Sequence, residues 1–226
     1  MFRCFAVMSV VLAASGFSAA QPEPLKSGPQ PDSVLPGSFQ PFNINGPFAG
    51  RQHCLVTEFR LNPVALVFVR TQPDSIDPEV KKLLEALGKL ADDRHDDTGL
   101  ESFVVFLAPQ ARSGATEDAK GNDPVGLAKG VAVETVEREK MVNFLKAETE
   151  GKAFKRLIVT CAPPDKIAQQ YKLADNAEVT VVLYWKHAVV SSIGFAGGQL
   201  NQERIAGVEK GVEAMLGLMK KSTAGK

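Results

Sequence analysis

Few side chains in this chain can do covalent or redox chemistry, and they stand far apart. Cysteine occurs three times, at Cys4, Cys54 and Cys161. A thiol becomes a nucleophile or a redox centre where nearby positive charge or a helix N-terminus favours its thiolate. Cys54 lies in Arg51-Gln52-His53-Cys54-Leu55-Val56-Thr57, where Arg51 and His53 offer such charge. Thr57 stands where a C-x-x-C would place its second sulfur. If this stretch is a strand, His53 and Cys54 point to opposite faces, and the imidazole is badly placed as a base for the thiol. Cys54 is therefore a candidate catalytic thiol, with a buried or disulfide-bonded cysteine as the other reading. Cys161 closes the apolar run Arg156-Leu157-Ile158-Val159-Thr160 ahead of Ala162-Pro163-Pro164. A Cys54–Cys161 disulfide would close a loop worth about 4–5 kcal/mol on the chain-entropy account. The alternative is two separate thiols.

Two further groups could bind or transfer something. Asp92-Asp93-Arg94-His95-Asp96-Asp97 gathers hard oxygen ligands and an imidazole, a composition that a cation could use. It lacks the spaced D-x-D-x-D-G order, and the alternative is a solvated helix end. His187 stands beside Trp185 at a predicted turn and reads as a surface residue. No G-x-S-x-G, G-x-x-x-x-G-K-[ST], H-E-x-x-H or G-x-G-x-x-G occurs, so no cofactor or resident metal is expected. Gly126 to Gly130 lacks a phosphate-binding context. Tyr184, Trp185 and Phe195 are strand-borne and fit a sheet face better than a base-stacking platform.

The elements that must position these residues belong to one domain of ordinary size. The 226 residues are 44% hydrophobic and carry 26 basic against 26 acidic side chains. Zero formal charge leaves no electrostatic footprint for a nucleic-acid partner, and the apolar content excludes a disordered chain. The single long apolar run, Cys4 to Ala14, is too short to span a bilayer. With Arg3 before it and Ser18-Ala19-Ala20 after it, Met1–Ala20 reads as a secretory signal peptide. Cleavage there leaves 25 basic and 26 acidic residues and removes Cys4. An exported chain, secreted or periplasmic, meets an oxidising compartment and has no further membrane segment.

Gln21 to Gly50 holds seven of the 14 prolines and four glycines, which excludes a helix. Residues 21–38 are expected to be a linker, mobile to about Pro36. Phe42–Asn45 and His53–Thr57 then read as two short strands around a turn at Asn45-Gly46-Pro47. Pro63–Arg70 is a continuous β-branched run, the mark of a strand buried on both faces. Asp77 as N-cap and Pro78 at the first position open a helix carrying Val80, Leu83, Leu84, Leu87 and Leu90 at helical spacing.

Ser102–Ala108 is the next buried strand, and Gln110–Gly130 reads as a long polar loop. A helix over Glu134–Glu148 turns Val136, Met141, Phe144 and Leu145 inward. Strands Lys155–Thr160, Val179–Trp185 and Ala188–Phe195 follow, with a short helix near Lys166–Tyr171 and a tight turn at Lys186-His187. A helix over Gln202–Lys220 stripes Ile205, Val208, Val212, Met215 and Met219, leaving 222–226 as a flexible tail. The alternation implies an α/β fold: a mixed central sheet of about five strands flanked by helices, with an N-terminal hairpin extension.

This order resembles the thioredoxin-like superfamily, in the form of peroxiredoxins (the alkyl hydroperoxide reductase group) and of secreted thiol-disulfide interchange proteins. The similarity runs from about Phe39 to Leu218 and is strongest over RLIVTCAPPDKIAQQYKLADNAEVTVVLYWKHAVVSSIGFAGGQLNQERI. It implies a redox-related fold whose activity depends on two features. One is a cysteine where the first core strand enters its helix; Thr71-Gln72-Pro73-Asp74-Ser75-Ile76-Asp77 has none. The other is a cis-proline ahead of the hairpin strand; the matching step here is Glu178-Val179. A non-proline cis bond costs about 2.5–4 kcal/mol, so a trans bond is expected.

With both features missing, the expected function is an envelope binding or structural module without dithiol catalysis, an unidentified protein being its conceivable partner. The alternative is a single-cysteine thiol oxidoreductase or peroxidase acting through Cys54.

Overall fold

The computed structural model describes residues 23–70, 75–109, 124–149 and 155–224. The signal-peptide segment Met1–Ala20 lies outside the described residues. Six strands form one sheet: β1 (Phe42–Asn43), β2 (Val64–Arg70), β3 (Glu101–Leu107), β4 (Leu157–Ala162), β5 (Val179–Trp185) and β6 (Ala188–Phe195). Their order is β1-β4-β3-β2-β5-β6. The crossovers make β2, β3 and β4 parallel, while β1, β5 and β6 pair antiparallel.

β2 is central and buried along almost its whole length. Ala65, Val67 and Val69 enter one core, and Val64, Leu66 and Phe68 enter the other. Each of the buried valine, leucine and phenylalanine side chains contributes about 1.5–3 kcal/mol, which holds the strand against both layers. The first layer comprises α2 (Pro78–Thr98), α3 (Pro124–Thr149) and α5 (Gln202–Ala224). The second holds α1 (Leu55–Glu58), α4 (Pro164–Gln170) and the N-terminal segment. No helix of the described residues is long and apolar enough to cross a membrane.

Several expectations are corrected. The stretch read as a strand at His53–Thr57 is the short helix α1, because Leu55 and Val56 bury themselves in the second core. β1 ends at Asn43 and adds to β4 rather than forming a full hairpin, although a bridge from Phe42 to Gln52 keeps the chain reversal. Beyond β1, Asn45 imitates backbone: its Oδ1 accepts from Val159 N (2.7 Å) and its Nδ2 donates to Leu157 O (3.2 Å). The predicted loop Gln110–Gly130 ends early, since α3 starts at Pro124, the proline of an Asp-Pro step like the one that opens α2. On α3, Val136 is exposed, and Val142 takes an inward place beside Met141 and Leu145. α5 runs to Ala224, so residues 222–224 of the expected tail are helical.

The segment expected to be a mobile linker is instead strapped along the free edge of β6. Leu25 and Gly194 exchange both backbone hydrogen bonds (2.8 and 3.0 Å). Asp32 N donates to Val189 O, Val189 N to Ser33 O, and Leu35 N to His187 O. Between these contacts Ser27 is buried, with its Oγ 2.6 Å from Thr180 Oγ1 and accepting from Ala174 N. Ser192 Oγ donates to Ser27 O (2.6 Å). The backbone donors that proline-rich sequence leaves over are used to cover an edge strand, a liability in an open sheet.

The strap sits so close that Gly194 has no room for a side chain. A Cβ there would stand 2.5 Å from Ser27 Cβ and 3.2 Å from Leu25 Cβ. Gly194→Ala is therefore expected to cost about 1–3 kcal/mol through overpacking. Gly207, on α5 with nothing within 4 Å of its would-be Cβ, gives the opposite sign. Gly207→Ala is expected to add about 0.4–1 kcal/mol. Urea unfolding midpoints of the two variants check both; equal midpoints would contradict the tight strap.

Candidate functional site

The site forms where β2 runs out and α2 begins. Asp77 caps α2 in extended geometry, its Oδ1 accepting from Glu79 N (2.7 Å) and Val80 N (3.4 Å), and Pro78 supplies the first helical residue. The β2–β5 register pairs Val69 with Val179, which sets Arg70 beside Glu178; Arg70 N donates to Glu178 O (2.8 Å). Glu178 N in turn donates to Phe195 O (2.8 Å), so the sheet is continuous into β6. All peptide bonds among the described residues are trans, the Glu178–Val179 bond included.

These elements surround a cavity of about 630 Å³ lined by Arg70, Ser75, Asp77, Asp175, Asn176 and Glu178, with Val69 and Ile76 among its apolar walls. A volume of this order suits a small ligand or an inserted side chain. Its electrostatics are uneven. Burial, reinforced by the neighbouring Asp77 charge, raises the Glu178 carboxyl above its ordinary value of 4.5. Arg70 Nη2 is buried and has no hydrogen-bond acceptor among the described residues. Of the expected helix-start residues, Ser75 and Asp77 line the cavity, and Asp74 lies outside the described residues.

The two cysteines are elsewhere and apart. Cys54 is the N-cap of α1, half-buried, and its Sγ accepts from Thr57 N (3.4 Å) and Thr57 Oγ1 (3.2 Å). Thr57, the residue that breaks the C-x-x-C, is thus the partner of the sulfur. His53 turns away: its ring stacks on Phe48 (centroids 3.6 Å apart) and its Nε2 meets Glu58 Oε2 at 3.1 Å. Arg51 lies over the same Phe48 ring, 5.0 Å from its centroid. Neither side chain is committed to the thiol.

Cys161 is inside β4, fully buried in the first core, whereas Cys54 packs against the second core. The sheet stands between them and both thiols are free, so the possible Cys54–Cys161 disulfide is not formed in this structure. Burial pushes the Cys161 thiol up to about 12, slightly opposed by Arg138.

The acidic run Asp92–Asp97 winds around the last turns of α2 and spreads its side chains. Asp93 pairs with Lys89, Arg94 with Glu213 of α5 (2.7 Å), and His95 with Glu101 (3.3 Å). Among the described residues no group of three or more His, Cys, Asp or Glu side chains is placed to hold a metal ion. His187 occupies the β5–β6 turn with Lys186, both at positive φ (62° and 52°), as a type I′ turn requires.

Comparison with solved structures decides the fold. The chain matches Plasmodium yoelii thioredoxin peroxidase I with a TM-score of 0.53 at 12% identity, over 86% of this chain and 92% of that one. It matches a Bacteroides thetaiotaomicron protein assigned to the disulfide isomerases with a TM-score of 0.51 at 16% identity, over 85% and 94%. The fold is thioredoxin-like. A yeast mitochondrial 1-Cys peroxiredoxin gives a TM-score of 0.51 at 10% identity, over 85% of this chain and 78% of that one. Neither a family model nor a curated protein matches the sequence.

In this thioredoxin-like chain, sequence reasoning put Cys54 forward as the site residue, placed Ser75 and Asp77 only at the helix start, and missed Arg70 and Glu178. The legible signal for Arg70 is a single cation ending an otherwise apolar strand just ahead of a helix start. Glu178 becomes visible only through the β2–β5 pairing.

The cysteine placement carries a test. Iodoacetamide at neutral pH is expected to label Cys54 and spare Cys161 in the folded protein, with intact mass showing no disulfide. Because the folded Cys161 pKa lies above the unfolded value near 9, the unfolded chain loses this proton first. Its contribution to stability is full below pH 9 and is lost as pH rises toward about 12. Urea midpoints falling over that window for wild type, and less steeply for Cys161→Ala, are the expected result.

Proposed function

We propose that the protein is an exported thioredoxin-like binding module of the cell envelope that holds its ligand non-covalently at the α2 start, without dithiol catalysis. The observation that carries this reading is the composition of that start. No cysteine occurs between Cys54 and Cys161, so the β2–α2 connection has none. Its cavity instead presents Arg70, Asp77 and Glu178, groups that bind and orient but cannot exchange disulfides.

A thiolate placed there would meet two carboxylates, which disfavour its charge. Charge and cavity suit recognition, and the apolar walls supply contact area without reactive groups. The leader-like Met1–Ala20 supports export, secreted or periplasmic. The rival is a one-cysteine oxidoreductase or peroxidase, and the half-buried Sγ of Cys54 is what favours it.

The purified protein is expected to show no insulin-disulfide reduction and no thiol-dependent peroxidase turnover above a Cys54→Ser control. Wild-type turnover well above that control would make Cys54 the nucleophile and replace the binding-module reading with the enzymatic one.

A further inference from the structure

The chain carries one Asn-Gly step, Asn45-Gly46, and the fold requires both residues. Asn45 finishes the outer edge of the sheet. Ile44 N donates to Val159 O (2.8 Å), and the Asn45 side chain then continues the pairing with β4. Its Oδ1 accepts from Val159 N and its Nδ2 donates to Leu157 O. A carboxamide offers acceptor and donor on separate atoms, as a peptide unit does. Gly46 opens the reversal that leads the chain back to Arg51. Its φ is +76°, and Ala49 N donates to its carbonyl (3.2 Å). A Cβ there would stand 3.2 Å from Ile158 Cδ1, so a left-handed residue pressed on Ile158 is held to glycine.

The same two residues are set up to react with each other. Asparagine is chemically labile, and a glycine after it leaves the following backbone nitrogen unshielded. In the reaction a bond forms between Gly46 N and Asn45 Cγ while the Cγ–Nδ2 bond breaks. The Gly46 amide proton leaves with Nδ2 as ammonia. Water then opens the cyclic imide, at Cγ to give isoaspartate's isomer aspartate's acyl precursor or at the main-chain carbonyl; the products are aspartate and isoaspartate.

In the folded chain this ring closure has an obstacle. The nitrogen that must leave is bound to Leu157 O, and both side-chain bonds hold Cγ towards β4. Swinging Cγ onto Gly46 N breaks them both. The reaction therefore draws on molecules in which this edge has opened locally.

We infer that Asn45-Gly46 is a covalent modification site, a hydrolytic deamidation gated by the β4 edge. The closed edge suppresses the reaction, and the reaction in turn keeps the edge from closing again. A carboxylate at position 45 has no hydrogen to give Leu157 O, and isoaspartate adds a methylene to the main chain ahead of Gly46. Gly46, Pro47 and Phe48 also line a second cavity of about 290 Å³ with Glu101 and Arg156, so the change reshapes that end of the molecule.

The experiment incubates the purified full chain in warm, mildly alkaline buffer beside the free peptide Ile44–Phe48, and follows both by peptide mass mapping. The free peptide is expected to deamidate at least about tenfold faster than Asn45 in the folded chain, the factor that two net hydrogen bonds carry. In the urea-unfolded chain Asn45 should react at the rate of the peptide in the same urea. Asn45→Asp should unfold at a lower urea concentration than wild type and shift the amides of Leu157–Val159.

Equal rates in the folded chain and the free peptide would overturn the gating. Absence of modification at Asn45 in the unfolded chain would overturn the site itself. Asn45→Asp unfolding at the wild-type midpoint would overturn the effect on the edge. If that variant does not fold, the midpoint of wild-type chain deamidated in place decides the same point.

Discussion

Burial of β2 on both faces is the constraint from which the rest of this structure follows. A strand whose alternate side chains fill two separate cores cannot slip by one residue, because every side chain would change layers. With β2 fixed, β3 and β5 are fixed in register on either side of it. The end of β2 then delivers the chain to the start of α2 at one place on the sheet rim. That register also brings Glu178, far away in sequence, against Arg70. The cavity is thus a consequence of core packing, with Arg70 and Glu178 held in place by backbone hydrogen bonds.

The rim is set by which side chains the fold delivers to it. The N-terminal field of α2 is met by Asp77, whose Oδ1 caps the helix. Glu178 stands beside it with its charge raised in energy by burial. Cys54 sits on α1, packed against the second core, where Thr57 supplies both its hydrogen-bond donors. Cys161 is closed inside β4. The cavity at this rim is lined by carboxylates and a guanidinium and by neither described cysteine, and the two kinds of group do different chemistry. A thiolate breaks and makes S–S bonds; carboxylates and a guanidinium select partners by charge and hydrogen bonding.

Much of the fold was legible because its strongest signals are local. Val64–Arg70, Glu101–Leu107 and Val179–Trp185 are β-branched and aromatic enough to be strands in any context. Asp77-Pro78 announces α2 by capping chemistry alone. The misreadings share one cause, tertiary contacts overriding weak local preference. α1 is four residues long and exists because Leu55 and Val56 bury themselves. The proline-rich strap is ordered because the edge of β6 needs partners. The glycines at 126 and 130 hid the first turns of α3. The site was half legible: Asp77 is a cap in the sequence, whereas Arg70 and Glu178 acquire meaning only when β2 and β5 lie side by side.

The central claim is that a half-buried Glu178 carboxylate, next to the exposed Asp77 charge, marks the α2 start. Its most direct measurement is the ¹³C NMR titration of the Glu178 side-chain carboxyl in wild type and in Asp77→Asn. The account predicts a midpoint above the ordinary 4.5 in wild type, falling when the Asp77 charge is removed. A wild-type midpoint at or below 4.5, with no response to Asp77→Asn, would show that Glu178 is solvated or paired with a cation, and would contradict it.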